Sequence, residues 1–194
     1  MSGFREVAGW VAGAISASAF IPYLRSVVRK QTTPSTASWL IWTLVGALLC
    51  SSYWASGARA AIWVSVSYMV GPLITLGFCV RYGDRSWSRL DIGCVVLALV
   101  SIVLWTVTGV AWVALALNIG IDFFGAVPTI RKSWSEPGSE DKTAWGLFFL
   151  GNTVNLLAIE TWTPAMYLYP AYLFAVTLVV NTLLWRARIA LVAR

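Results

Sequence analysis

Phe20-Ile21-Pro22-Tyr23-Leu24-Arg25 and, 106 residues further on, Ala126-Val127-Pro128-Thr129-Ile130-Arg131 are the two stretches on which the fold turns. Each reads Pro-x-x-Arg at the end of an apolar run. Each is followed by a polar linker and then by a tryptophan that opens the next apolar run, Trp39 in the first case and Trp145 in the second, again 106 apart. No gap is needed to keep the register. Ile15/Ile121 and Leu44/Leu150 also coincide, although apolar identities carry little weight in so apolar a chain. An ungapped self-match of this kind is read as an internal repeat.

The runs on either side of these stretches are long. Seven apolar segments cover roughly 7–28, 36–56, 60–80, 89–109, 111–131, 143–160 and 165–185. About 20 apolar residues are needed for a helix to span the hydrocarbon core. Only 11% of the 194 residues are charged and 59% are hydrophobic, against about 25% charged in soluble domains; the mean hydropathy is +0.75. Such a chain cannot cover a water-facing surface, and seven spans with short loops use nearly its whole length. The first segment, with its Ala17-Ser18-Ala19 triplet, has a rival reading as a cleaved signal peptide. Against it, Glu6 cancels Arg5 in the leading region and the same pattern recurs in mid-chain.

The charges set the orientation. Counted over alternate loops, one side of the membrane carries only Arg5 and Arg59, while the other carries the remaining 12 of the 14 lysines and arginines, in the stretches 25–30, 81–89, 131–142 and 186–194. Short basic loops stay in the cytoplasm, which predicts the N-terminus outside and the C-terminus inside. The net charge of +6 is thereby explained without a nucleic-acid partner. Three apolar segments belong to each repeat. Because three is odd, a direct copy would enter the membrane inverted, and the fourth segment restores the orientation. The expectation is an all-α integral membrane protein of seven transmembrane helices. Residues 1–83 and 111–194 form two parallel three-helix bundles, and 84–110 is a linker helix. Parallel repeats of this kind place a substrate site near mid-membrane at the bundle interface.

On these residues the chain resembles a divergent member of the PQ-loop, or SWEET-like, superfamily, which includes the SWEET sugar transporters, the half-size SemiSWEETs, the PnuC vitamin transporters, cystinosin and the KDEL receptor. The resemblance lies in the 3+1+3 plan, the external N-terminus and a proline near the end of the first helix of each bundle. Pro22-Tyr23 and Pro128-Thr129 lack the glutamine of the family motif, and Arg29-Lys30-Gln31-Thr32-Thr33 stands where its Lys-Ser-x-x-Gly would be. The resemblance implies that the prolines support gating and that the second helix of each bundle lines the substrate path.

Several side chains are candidates for binding a solute. Asp122 is the one carboxylate well inside an apolar segment, where a charge costs on the order of 3 kcal/mol. It is read either as a proton-coupling or substrate-binding group, or as a neutral acid locked to Asn118, which lies four residues earlier on the same helical face. Asn152 and Asn155, in the sixth segment, can bind solute hydroxyls or join helices. Ser65, Tyr68 and Tyr172 add hydroxyls, and the phenols can stack on a flat ligand; Tyr169 is read as an interface anchor. Trp42 is the deepest of the 12 tryptophans. The others, Trp39 and Trp145 among them, are read as interfacial belt residues. Pro22 and Pro128 either act as hinges or simply end their helices. Arg25 and Arg131 are read as helix C-terminal caps or as parts of a cytoplasmic gate or lipid contact.

Enzyme chemistry is not expected. The chain has no histidine, no Gly-rich phosphate loop and no metal-type spacing of its three cysteines, so neither metal nor cofactor is called for. An intramembrane aspartyl protease would need a second membrane acid, and a retinal pigment would need a lysine in the last helix. The leading expectation is a multi-pass cell-membrane transporter of a neutral or zwitterionic small molecule, in contact with membrane lipid. One chain carries both bundles, so a monomer suffices, and a homo-oligomer is compatible. The alternative is a receptor or assembly protein that uses the same fold without transport.

Overall fold

The computed structural model describes the chain apart from residues 1, 33, 35, 56, 84, 86, 88, 110, 136–139 and 193–194 and the side chains of 2, 90–91, 94, 98, 101–102, 105, 111–114, 127–128, 131–132, 135 and 187–192. The described residues form seven helices and no strand: α1 (Ser2–Val28), α2 (Thr36–Ala55), α3 (Ile62–Tyr82), α4 (Arg89–Thr108), α5 (Ala111–Ser135), α6 (Lys142–Leu157) and α7 (Pro164–Val192). Stretches within α1, α2, α3 and α7 are long and apolar enough to cross a membrane. At 16 residues, α6 is about 24 Å long, short of the roughly 30 Å hydrocarbon core. It stops at Leu157, a few residues before the apolar run does. Parts of α4 and α5 lie outside the described side chains.

Helix ends follow local chemistry. At the end of α1, Lys30 adopts a left-handed conformation (φ 57°). Its N–H donates to Val27 O and that of Gln31 to Ser26 O, both at 2.9 Å, the two bonds of a Schellman cap. The Asp141 carboxylate accepts the Ala144 N–H at 2.8 Å and caps α6, answering one of the orphan donors of a helix start. Pro164 occupies the first position of α7, where its missing N–H costs nothing. Gly109, at φ 66°, makes the tight reversal between α4 and α5, a backbone shape that suits glycine.

The helices pack in a patterned way. The most extensive contacts are α1 with α6, α2 with α3 and α1 with α3; α6 also packs on α7, α5 on α7 and α2 on α5. Exchanging the numbers 1, 2, 3 for 5, 6, 7 turns each of these pairs into another member of the set. Outside that set, α4 rests on α5 and α2. The buried core has two main parts. One, toward the end that holds the N-terminus, includes Ala8, Ala12, Leu49, Tyr53 and Ala158. The other, toward the opposite end, includes Phe20, Trp39, Cys79 and Phe148.

The α1–α6 and α2–α5 seams differ. Along α1 and α6 the contact is made by small residues. Ala12 and Ser16 are fully buried, and a Cβ on Gly151 would strike the Ser16 hydroxyl and come within 3.1 Å of Ala12 O. Along α2 and α5 the indole of Trp42 lies against Gly125, 3.0 Å from where a Cβ would stand, and the seam opens into a cavity.

Candidate functional site

That cavity holds about 150 Å³, and its described lining residues come from α1, α2, α3, α5, α6 and α7. Its volume suits a small solute. Phe20, Tyr23, Trp39, Trp42, Trp145 and Phe148 form much of its wall, and their rings touch in sequence. Tyr23 meets Trp39 and Trp39 meets Trp42, each with centroids 5.0 Å apart. Phe20 meets Phe148 at 5.1 Å, and Trp145 meets Phe148 at 5.9 Å. Most of these contacts are edge-to-face, the favoured arrangement for aromatic pairs, so the ring faces are turned in several directions around the space. Four pairs of lining positions stand 106 residues apart: Phe20 and Ala126, Tyr23 and Thr129, Trp39 and Trp145, Trp42 and Phe148.

Asp122 projects from α5 into this wall and is 9% exposed. The Tyr172 hydroxyl of α7 faces it. One turn earlier, Asn118 is fully buried, and neither end of its amide has a hydrogen-bond partner. Asn152 is also fully buried; its Nδ2 donates to the Tyr68 hydroxyl at 2.8 Å, and its Oδ1 is unpartnered. Tyr68 in turn packs its ring on Phe148 (5.7 Å) and lines the cavity.

Of the predicted binding residues, then, Asp122, Trp42 and Tyr68 lie on the wall. Asn152 supports Tyr68 from behind. Asn118, Asn155 and Ser65 are buried in the helix packing without lining the space, and Tyr172 reaches it only through its approach to Asp122. Trp39, at 5% exposure, and Tyr169, at 4%, are cavity residues rather than belt or anchor residues. Phe20, Phe148 and Trp145 also belong to the site. The 106-residue register that pairs Trp39 with Trp145 was the one sequence signal that could have brought two cavity residues forward.

Proline shapes several helices near the cavity. Pro22 lies inside α1, which runs on for six residues to Val28, so the helix does not end there. Arg25 is exposed in the last turn of the same helix, where a cation meets the negative helix end. The side chains of Pro128 and Arg131 lie outside the described residues. Pro72 and Pro170 interrupt α3 and α7. Each removes the N–H owed to the carbonyl four residues back. For Pro170 that carbonyl belongs to Met166, and the Tyr53 hydroxyl of α2 donates to it at 2.9 Å.

The cavity reaches toward the α5–α6 loop, since Glu140 of that loop lines it and accepts from Trp145 Nε1 at 3.2 Å. The opposite end is tied shut around Glu160, in the α6–α7 loop. Its carboxylate accepts the N–H groups of Arg59 at 3.1 Å and Ala60 at 3.2 Å, just before α3. Its carbonyl accepts from Arg5 Nη1 at 2.8 Å. Beneath it Gly9 packs directly on the Ala60 carbonyl, with no room for a side chain.

No protein-family profile matches the chain, and no solved structure matches it. Among curated proteins it is similar to S-methylmethionine permease 1 of Saccharomyces cerevisiae, 29% identical over 96 residues that make up 50% of this chain and 15% of the permease. The chain thus matches only a small part of that longer protein. Four helices of membrane-spanning length and a partial likeness to a permease together make this a helical membrane protein.

Proposed function

We propose that the protein is a small-solute transporter of the cell membrane that works by alternating access. In this reading residues 1–83 and 111–194 are two parallel bundles on a SWEET-like 3+1+3 plan, residues 84–110 are the linker, all seven helices span, and the N-terminus is outside. The observation that carries the reading is the cavity itself. It lies where the two halves meet, and four pairs of its lining positions are 106 residues apart, as expected if two equivalent bundles share one central site. The symmetric helix contacts and the likeness to a permease support it. So does the shape, open toward the basic loops and tied at the other end, which corresponds to an inward-facing state. Asp122, Trp42 and Tyr68 bind the neutral or zwitterionic solute; Asn152 holds Tyr68 in place, and Asn118 and Asn155 lie buried behind the wall. Pro22 and Pro128 let the bundles rock, and Asp122 is the group available for proton coupling.

Uptake into proteoliposomes tests this. A panel of sugars, nucleosides, vitamins, amino acids and their methylated derivatives is offered to the purified full-length protein. Saturable uptake of one class, lost in Asp122→Asn while the variant stays folded, is the expected result. Protein that is folded, correctly inserted and moves nothing on the panel overturns the transport reading.

A further inference from the structure

The cavity has an unusual balance of chemistry. Its wall is largely aromatic and carries one deep carboxylate, Asp122, and no lysine or arginine is among the described lining residues. A buried carboxyl either keeps its proton or needs a partner for its charge, and among the described residues the wall offers Asp122 no cation. The missing counter-charge can come from the ligand. Aromatic rings attract a cation through the negative potential of their faces, tryptophan most strongly, and a cage of such rings is the usual recognition element for methylated ammonium groups. Here Trp39, Trp42 and Trp145 stand with Tyr23, Phe20 and Phe148 in tilted contact around the same space as Asp122.

We propose that the solute carries an organic cation, a quaternary ammonium or sulfonium group, held in the aromatic box with Asp122 as its counter-ion. This rests on the cavity being the solute site, and it replaces the neutral-or-zwitterionic class with solutes that carry an onium centre, zwitterionic or net cationic. A carbohydrate, by contrast, would need convergent hydroxyl and amide partners, whereas the amides of Asn118, Asn152 and Asn155 are held in the packing behind the wall.

The test is made on the full-length protein in detergent, by tryptophan fluorescence and thermal shift. Tetramethylammonium, choline, N-methylpyridinium and trimethylsulfonium are compared with 3,3-dimethylbutan-1-ol, which has the shape of choline without its charge. At least one cation is expected to bind at least about tenfold more tightly than the uncharged isostere. Asp122→Asn and Trp42→Leu should each weaken it by about tenfold, and Trp42→Phe by less, since a ring face remains. The isostere comparison uses the unsubstituted protein, so it stands even where a variant fails to fold. Equal binding of the isostere, or no response to any of the four cations, overturns the proposal. Counterflow in liposomes separates it from the transport reading. Cation binding without flux overturns transport and leaves the ligand class standing. Flux of an uncharged solute that no cation inhibits overturns the ligand class and leaves transport standing.

Discussion

At the scale of single residues, the pairing of Tyr53 with Pro170 shows how a buried defect is repaired. Pro170 leaves the Met166 carbonyl without its helical N–H, and Tyr53, 2% exposed, reaches across from α2 to donate to it. Tyr53→Phe keeps the ring and removes the donor, so it should cost about 1–3 kcal/mol, the range for orphaning a buried polar group. Pro170→Ala restores a backbone N–H at that position. In the Tyr53→Phe background it should therefore recover part of the loss, and a double-mutant cycle on unfolding stability would read the coupling directly. Additive effects would mean that the hydroxyl and the carbonyl do not depend on each other. Neither residue attracts notice in the sequence, because the hydroxyl and the Met166 carbonyl it answers stand 113 positions apart on two different helices.

At the scale of elements, the ends of the helices were far more legible than their faces. Polar linkers such as 132–142, the Gly109 reversal and Pro164 delimit segments wherever they occur, so the seven apolar runs match seven helices to within a few residues at most ends. Which side of a helix meets protein is another matter. In a helix that is apolar all round, hydropathy carries no direction, and a tryptophan beside a basic loop looks like an interfacial anchor. Trp39 and Trp145 looked so, yet both line the cavity. Asp122 was legible because an acid in an apolar run must face away from lipid. The small-residue seam between α1 and α6 makes its own prediction. Gly151→Ala places a methyl group against the Ser16 hydroxyl and should destabilise by about 1–3 kcal/mol, as overpacking does. Ser16→Ala removes the clashing oxygen and should rescue part of it. Gly9→Ala meets the Ala60 backbone carbonyl instead and should find no such rescue. Thermal unfolding of the single and paired variants checks both, and an unrescued Gly151→Ala would show that the seam tolerates no shift at all.

At the scale of the whole molecule, Glu160 joins three separated parts of the chain: its own loop, the turn before α3 and Arg5 of α1. Glu160→Ala deletes the acceptor of two backbone N–H groups and should cost about 1–3 kcal/mol, with Glu160→Gln intermediate because an amide oxygen still accepts. If this tie also holds the far end shut, Glu160→Ala should expose a cysteine placed at Ala12, buried in the parent, to a membrane-impermeant thiol reagent. A lower melting temperature with no change in labelling would make the tie a support rather than a closure.

The unlike seams carry a consequence for any movement between the halves. Glycine, serine and alanine along α1 and α6 bring two backbones almost into touch, and surfaces that close cannot slide far without collision. In the proposed alternating-access cycle they would serve as the fulcrum. The seam of α2 and α5 is propped on a flat indole and holds open space, so in the proposed cycle the same tilt would be spent there as displacement, and the rings on that side would be the jaws that a lever closes around its load.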